Sequence, residues 1–270
     1  MRRSEWLIGG ASVRGSAHVR NDRPNQDAIA WLPGSGRGGR IVGAVSDGHG
    51  APLHFRSDVG SRLAVDRAAD VVAWHLDEDE ADEAEGALAG EILDAWRSAV
   101  DDHLADNPPP PGTTAGMLSY GATLIALGAT SSLLTMMQIG DGDLLLGFAD
   151  GRLERPLRAD SGLVGEETYS LCQADAQIRF RVATMWRGEG EWPDFALLAT
   201  DGVSKSFRDE ASFLAAAARF HKLAADDWQG TLDALPDWLA EVSAKGSGDD
   251  SSLCLARRID AGNEPRGDQP

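Results

Sequence analysis

Three apolar runs of strand length in this chain stop at the same dipeptide. Ile41-Val-Gly-Ala-Val-Ser leads into Asp47-Gly48, Met136-Met-Gln-Ile-Gly into Asp141-Gly142, and Phe195-Ala-Leu-Leu-Ala-Thr into Asp201-Gly202. A buried strand that ends on a carboxylate leaves that charge on the rim of a sheet, partly dehydrated, and the glycine lets backbone carbonyls approach a ligand closely. Asp-Gly is also a strong hairpin signal. Asp150-Gly151, set between Leu144 to Ala149 and Arg152-Leu153-Glu154, reads as that alone. Any one of the other pairs is as readily a turn; their recurrence favours a shared site for a hard cation such as Mg²⁺ or Mn²⁺, which takes oxygen ligands rich in carboxylate.

Periodicity supplies the frame around these ends. Trp6 to Val13, Ala28 to Leu32 and Arg40 to Val45 read as short strands between glycine- and proline-rich turns. Phe55, Val59 and Leu63 share one helical face that continues through Val71, Val72 and Trp74, and the acidic run Asp77 to Glu85 reads as a solvated loop. Leu88, Ile92, Trp96, Val100 and Leu104 stripe a second helix, closed by Pro108-Pro109-Pro110-Pro111-Gly112. Ala122 to Leu127, Leu133 to Ile139 and Leu144 to Ala149 follow as an antiparallel meander, then strands at Gln177 to Ala183 and Phe195 to Ala199, while residues 155 to 176 lack strong periodicity. The last helices run through Phe213, Leu214, Ala217 and Phe220 and through Leu235, Leu239 and Val242, with Pro236 in the first turn of the latter. A strand at Ser252 to Ala256 closes a single domain over residues 1–258, and 259–270 read as a polar tail. Strands, two helices, strands, two helices, strand is the order of an α+β fold, with mainly antiparallel sheets covered by helices on their outer faces.

Composition narrows the function classes. With 42% hydrophobic residues the chain can build a core, and a formal net charge of -18 disfavours partners such as nucleic acid or an anionic membrane. The two cysteines, Cys172 and Cys254, form no zinc or disulfide pattern, which suits a reducing compartment. No apolar stretch is long enough for a secretory signal or a membrane span, so a soluble, cytoplasmic protein is expected.

In chain order stand Pro24-Asn25-Gln26-Asp27, Asp47-Gly48-His49-Gly50, Gly121-Ala122-Thr123, Gly140-Asp141-Gly142-Asp143, Ala199-Thr200-Asp201-Gly202-Val203 and Gly248-Asp249-Asp250-Ser251-Ser252. Over about residues 6 to 258 this resembles the 2C-type metal-dependent protein phosphatases, the PPM family. The resemblance implies an αββα sandwich with two Mn²⁺ or Mg²⁺ ions at one end. It implies that Asp47 bridges the ions, that the Gly48 carbonyl ligates one and Asp201 and Asp249 the other, and that Asp27 holds their waters. Asp141 matches an aspartate associated with a more weakly held third ion. The chain also departs from the pattern. Asp22 stands at the offset of a phosphate-gripping arginine, leaving Arg20 or Arg23 to substitute; Gln26 replaces a common glutamate, Gly142-Asp143 a Ser-Arg, and Asp250 an asparagine. The stretch Gly165 to Tyr169 resembles the flap of a divergent bacterial branch.

The implied reaction is hydrolysis of phosphoserine and phosphothreonine in a phosphorylated protein, one modified by a cognate kinase. Two cations about 3.5 to 4 Å apart would bring the pKa of a shared water toward neutrality and stabilise the phosphoryl oxygens. His49, next to a ligand pair, is expected to protonate the leaving oxygen, whereas His18, His54, His75, His103 and His221 read as structural. Trp74, Trp96 and Trp238 read as core or groove packing. Neither Cys172 nor Cys254 precedes a phosphate-cradling loop with a closing arginine, which argues against a cysteine phosphatase. Two alternatives remain: a binding module of the same fold without turnover, and a small-molecule phosphomonoesterase, the latter ranked low because no nucleotide-binding loop is present.

Overall fold

A computed structural model of the chain describes residues 4–77, 84–110, 113–158 and 168–260. The strands are β1 Ser4–Val13, β2 Ala28–Leu32, β3 Arg37–Gly38, β4 Ile41–Ser46, β5 Leu124–Ala129, β6 Leu133–Ile139, β7 Asp143–Gly147, β8 Leu153–Glu154, β9 Arg181–Trp186, β10 Phe195–Ala199 and β11 Ser251–Asp260. The helices are α1 Ser16–Arg20, α2 Ser57–Asp77, α3 Ala84–Asp106, α4 Asp201–Ser204, α5 Glu210–Asp226 and α6 Trp228–Lys245. The strands form a six-stranded sheet in the order β3-β1-β11-β10-β7-β8 and a five-stranded sheet in the order β2-β4-β5-β6-β9. Neighbouring strands are antiparallel throughout.

The central strands are apolar on both faces because both faces are covered. In β4, Ile41 and Val45 face the opposite sheet, while Val42 and Ala44 face α2 and α3. In β10, Ala196 and Leu198 point between the sheets, and Phe195 and Leu197 point toward α5 and α6. Period-two alternation therefore feeds three cores, one between the sheets and one under each helix pair. Trp96 on α3 is fully buried and donates its indole N–H to the Gly60 carbonyl at 3.0 Å, which docks α3 on α2. The architecture is an αββα sandwich, an α+β fold.

Several local expectations shift. Leu133 to Ile139 and Leu144 onward do not form one meander: β6 lies in the five-stranded sheet and β7 in the other. The link between them crosses from sheet to sheet, and Gly140 takes a φ of 100° there, open to glycine and strained for other residues. Phe55 precedes α2 and is exposed, and Trp74 is 56% exposed rather than packed in the core. Pro236 lies inside α6, not in its first turn: Asp227 caps the helix eight residues further back than the apolar stripe suggested, accepting the Gly230 N–H at 2.9 Å, and a single missing donor is tolerated within a long helix. Gln177 to Arg179 form a 3-10 turn before β9, and α1 had no periodic signal. β11 runs through Ile259 to Asp260 because it pairs with β1 along its whole length. Of the acidic run, Asp77 ends α2 and Ala84 and Glu85 begin α3, while 78–83 lie outside the described residues. The same is true of 261–270, of Pro111-Gly112 and of Gly165 to Glu167. No helix among the described residues is long and apolar enough to cross a membrane.

Candidate metal centre

Antiparallel register gathers the aspartates at one end of the sandwich. Ala28 pairs with Ser46, so Asp27, just before β2, enters beside Asp47, just after β4. Ala199 pairs with Leu253, so Asp201, opening α4, lies beside the Asp249-Asp250 segment that leads into β11. Asp47 is held through its backbone: its N–H reaches Thr123 Oγ1 at 3.0 Å and its carbonyl accepts the Thr123 N–H at 2.8 Å. A Cβ on Gly48 would sit 2.6 Å from both the Gln26 and Ser57 carbonyl oxygens, so the turn after Asp47 admits only glycine. At Gly202 an added Cβ would meet the Asp250 carbonyl at 1.9 Å, which is how closely the Asp201 and Asp250 segments approach.

These ends surround a cleft of about 530 Å³ lined by Asp47, Asp141, Asp201 and Asp249 together with His49, His54, Thr168 and Lys205. Asp27 sits beneath, 7% exposed, and accepts the Thr200 hydroxyl at 2.6 Å. Burial, more than any other cause, drives the Asp47 pKa well above the usual carboxylate range, and Asp27, Asp201 and Asp249 push it further in the same direction. Among the described residues no hydrogen-bond donor reaches the Asp47 carboxylate; its side-chain contact is another acid, Asp201. Asp27 is likewise raised well above its ordinary value by burial, which outweighs the Thr200 hydrogen bond. Asp141 is raised by burial and by Asp201, against Lys205 and Thr168. Buried acids that repel one another are stable as anions only beside a cation, and an oxygen-only donor set of this kind fits Mg²⁺ or Mn²⁺.

One acid at this end is already satisfied. Asp250 is 3% exposed; its Oδ1 accepts the Gly15 N–H at 2.6 Å, and its Oδ2 accepts the Gln26 N–H at 2.6 Å and faces His18 Nδ1 at 2.8 Å. His18 Nε2 lies 3.5 Å from Asp249. Candidate ligand atoms of His18, Asp249 and Asp250 thus fall within 4.8 Å of one another. Since both Asp250 oxygens are occupied by donors, Asp250 works as a clamp that ties the loops before α1 and β2 to the start of β11.

A family description, protein phosphatase 2C, matches residues 14–240. The chain belongs to that family. Solved structures agree in fold. The catalytic domain of the serine/threonine protein phosphatase PstP in complex with two manganese ions is 20% identical, with a TM-score of 0.61 over 95% of this chain and 100% of that one. PppA, a regulatory component of T6SS in Pseudomonas aeruginosa, is 19% identical, with a TM-score of 0.60 over 95% and 100%. The serine/threonine phosphatase Stp1 from Staphylococcus aureus is 16% identical, with a TM-score of 0.58 over 95% of each chain. No curated protein matches the sequence.

Within this member of the phosphatase 2C family, the remaining expected site residues fall in different places. The Arg23 guanidinium donates to the Gly50 carbonyl at 2.6 Å, and Gly50 lines the cleft. Arg20 is exposed on α1, bonded to Ser16 Oγ at 3.3 Å, and does not line it. His49 is half-buried with its ring 4.9 Å from that of His54. Burial first, then the His54 charge, lower its pKa to about 4, while Asp141 pulls the other way. His49 is therefore neutral at pH 7 in the metal-free protein, below the neutral range expected of it. Sequence reading gave His18 and His54 structural roles; His18 faces Asp250, and His54 lines the cleft beside His49. It missed Thr200 as the partner of Asp27 and Lys205 as the partner of Asp201. Lys205 had a usable signal, since four residues after Asp201 is one helical turn; the Thr200 contact joins segments distant in sequence.

Proposed function

We propose that this chain is a metal-dependent protein serine/threonine phosphatase that hydrolyses phosphomonoesters with Mn²⁺ or Mg²⁺ held by Asp47, the Gly48 carbonyl, Asp201 and Asp249. The observation that carries this reading is the Asp47 carboxylate, raised by burial and by its acidic neighbours and met by no donor among the described residues. Bound divalent cations would supply a water nucleophile at neutral pH and positive charge for the phosphoryl oxygens. The chain's own residues do the rest. Asp27, fixed by Thr200, sits behind Asp47 to accept hydrogen bonds from water. The guanidinium of Arg23 stands at the Gly50 rim, where a planar fork can take phosphate oxygens, and is better placed for this than Arg20. His49 faces the cleft, and an arriving phosphoryl dianion raises its pKa from the metal-free value, so the ring can take up a proton and deliver it to the leaving oxygen.

The open cleft suits a phosphorylated side chain on a protein, modified by a cognate kinase. A second reading, a binding module without turnover, is favoured by one fact: neither Arg20 nor Arg23 lines the cleft itself. Hydrolysis of a phosphothreonine peptide under Mn²⁺ titration separates the two. Turnover that appears with Mn²⁺ and stops with chelator is expected; full activity in metal-free protein refutes the metal-dependent reading, and peptide binding without phosphate release establishes the module.

A further inference from the structure

The acids of the cleft differ in what already holds them. Asp47 makes its side-chain contact with Asp201 and has no donor among the described residues. Asp141 has both oxygens engaged: Oδ1 accepts the Thr168 hydroxyl at 2.9 Å, and Oδ2 faces the Lys205 ammonium at 3.3 Å. The same ammonium pairs with Asp201 Oδ2. Lys205 caps α4 and donates its backbone N–H to the Asp201 carbonyl at 2.7 Å, so its side chain starts one helical turn from the acid it neutralises. It is the one lysine or arginine among the described residues that line the cleft.

We propose that the Lys205 ammonium is the resident cation of the Asp141 side of the centre, so that divalent ions occupy the Asp47, Asp201 and Asp249 side and none is held at Asp141. This deepens the metal-dependent reading and rests on it. Lys205 takes only Oδ2 of Asp201 and leaves Oδ1 to a divalent ion, whereas an ion entering at Asp141 would have to break the Thr168 hydrogen bond or displace Lys205, leaving an ammonium facing the incoming cation. At 3 to 4 Å, like charges repel strongly at the reduced effective dielectric of a protein rim. One lysine thus takes the place of a third divalent ion, and the Asp141 carboxylate serves to position Lys205.

The test is metal stoichiometry, with equilibrium dialysis against Mn²⁺ and metal analysis of full-length protein. Wild type should bind two Mn²⁺ per chain at saturation, Lys205→Arg also two, and Lys205→Ala three, the third more weakly. Adding Asp141→Asn to Lys205→Ala should return the count to two. Should Lys205→Ala fail to fold, Lys205→Met removes the charge while keeping most of the stem, and should also bind three. A count of three in wild type refutes the inference alone, as does a count of two in both charge-removing variants. No Mn²⁺ bound by wild type refutes the metal-dependent function, and this inference with it.

Discussion

Replacing Asp250 with alanine tests whether the clamp behind the centre is structural. The carboxylate is 3% exposed and accepts two backbone N–H groups, from Gly15 and Gln26, each at 2.6 Å. A buried donor left without a partner costs about 1 to 3 kcal/mol, so the two together cost about 2 to 6 kcal/mol. One effect reduces this: Asp250 is among the charges that raise the Asp27 pKa, so its removal eases ionisation of Asp27. A net loss of about 3 kcal/mol is expected, a large part of the roughly 5 to 15 kcal/mol by which a domain is stable. Urea unfolding of chelated protein reads it directly, because no metal contributes. Asp249→Ala is the control: Asp249 is exposed and accepts the N–H of Asp250 at 2.9 Å, so its loss should cost under about 1 kcal/mol while removing a proposed metal ligand. An Asp250→Ala protein within about 0.5 kcal/mol of wild type would refute the clamp.

Asp47→Asn should stabilise the chelated protein at pH 7 to 8 while abolishing Mn²⁺ binding. The folded pKa of Asp47 is raised, so its contribution to stability is intact below the unfolded value of about 3.9 and is lost as pH rises through the folded pKa. The gain in Tm over wild type should accordingly vanish near pH 3.5, and a variant less stable than wild type at pH 8 would overturn this. Asp201→Asn should abolish turnover, whereas Asp150→Asn should leave it within about twofold, because Asp150 closes an exposed turn by accepting the Arg152 N–H at 2.9 Å, a bond asparagine also makes. Equal damage from the two, read as kcat/KM, would erase the distinction between rim and turn aspartates. His49→Ala should lower kcat on a phosphothreonine peptide by about 10² to 10⁴-fold and much less on a nitrophenyl phosphate, whose leaving group needs no proton. An equal loss on both substrates in metal-saturated enzyme would return His49 to a structural role.

The sequence carried the sandwich because its signal is periodic. β6 and β10 match the apolar runs residue for residue, since both faces of each strand are covered; the two polar residues of β6, Thr135 and Gln138, are buried with it, and Gln138 donates to the Gly140 carbonyl at 3.1 Å. Boundaries went astray where tertiary contact decides them. β11 continues past its apolar stretch because β1 is there to pair with it, and α6 begins at a cap rather than at its stripe. The apparent meander failed for a related reason: Gly140-Asp141-Gly142 satisfies a hairpin pattern, and nothing local reports that the next strand joins the other sheet. Aspartates were legible as strand ends, but the contacts that fix them, Thr200 to Asp27 and Asp250 to Gly15 and Gln26, join residues more than 170 positions apart.

That crossing also explains why Asp141 differs from the other acids. Asp27 and Asp47 are brought together by pairing within one sheet, and Asp201 and Asp249 by pairing within the other. Ladder hydrogen bonds fix each pair, so their repulsion has to be borne by the fold or relieved by a cation. Asp141 lies on the link between sheets, outside any ladder, and is reached by a lysine from α4 and by Thr168. Within the rigid part of the rim it is Asp47 that holds the unmatched charge, since Lys205 pairs with Asp201 as well as with Asp141 on the link between sheets. A divalent cation has most to gain where the backbone prevents the carboxylates from separating, and that is the Asp47 side of the cleft.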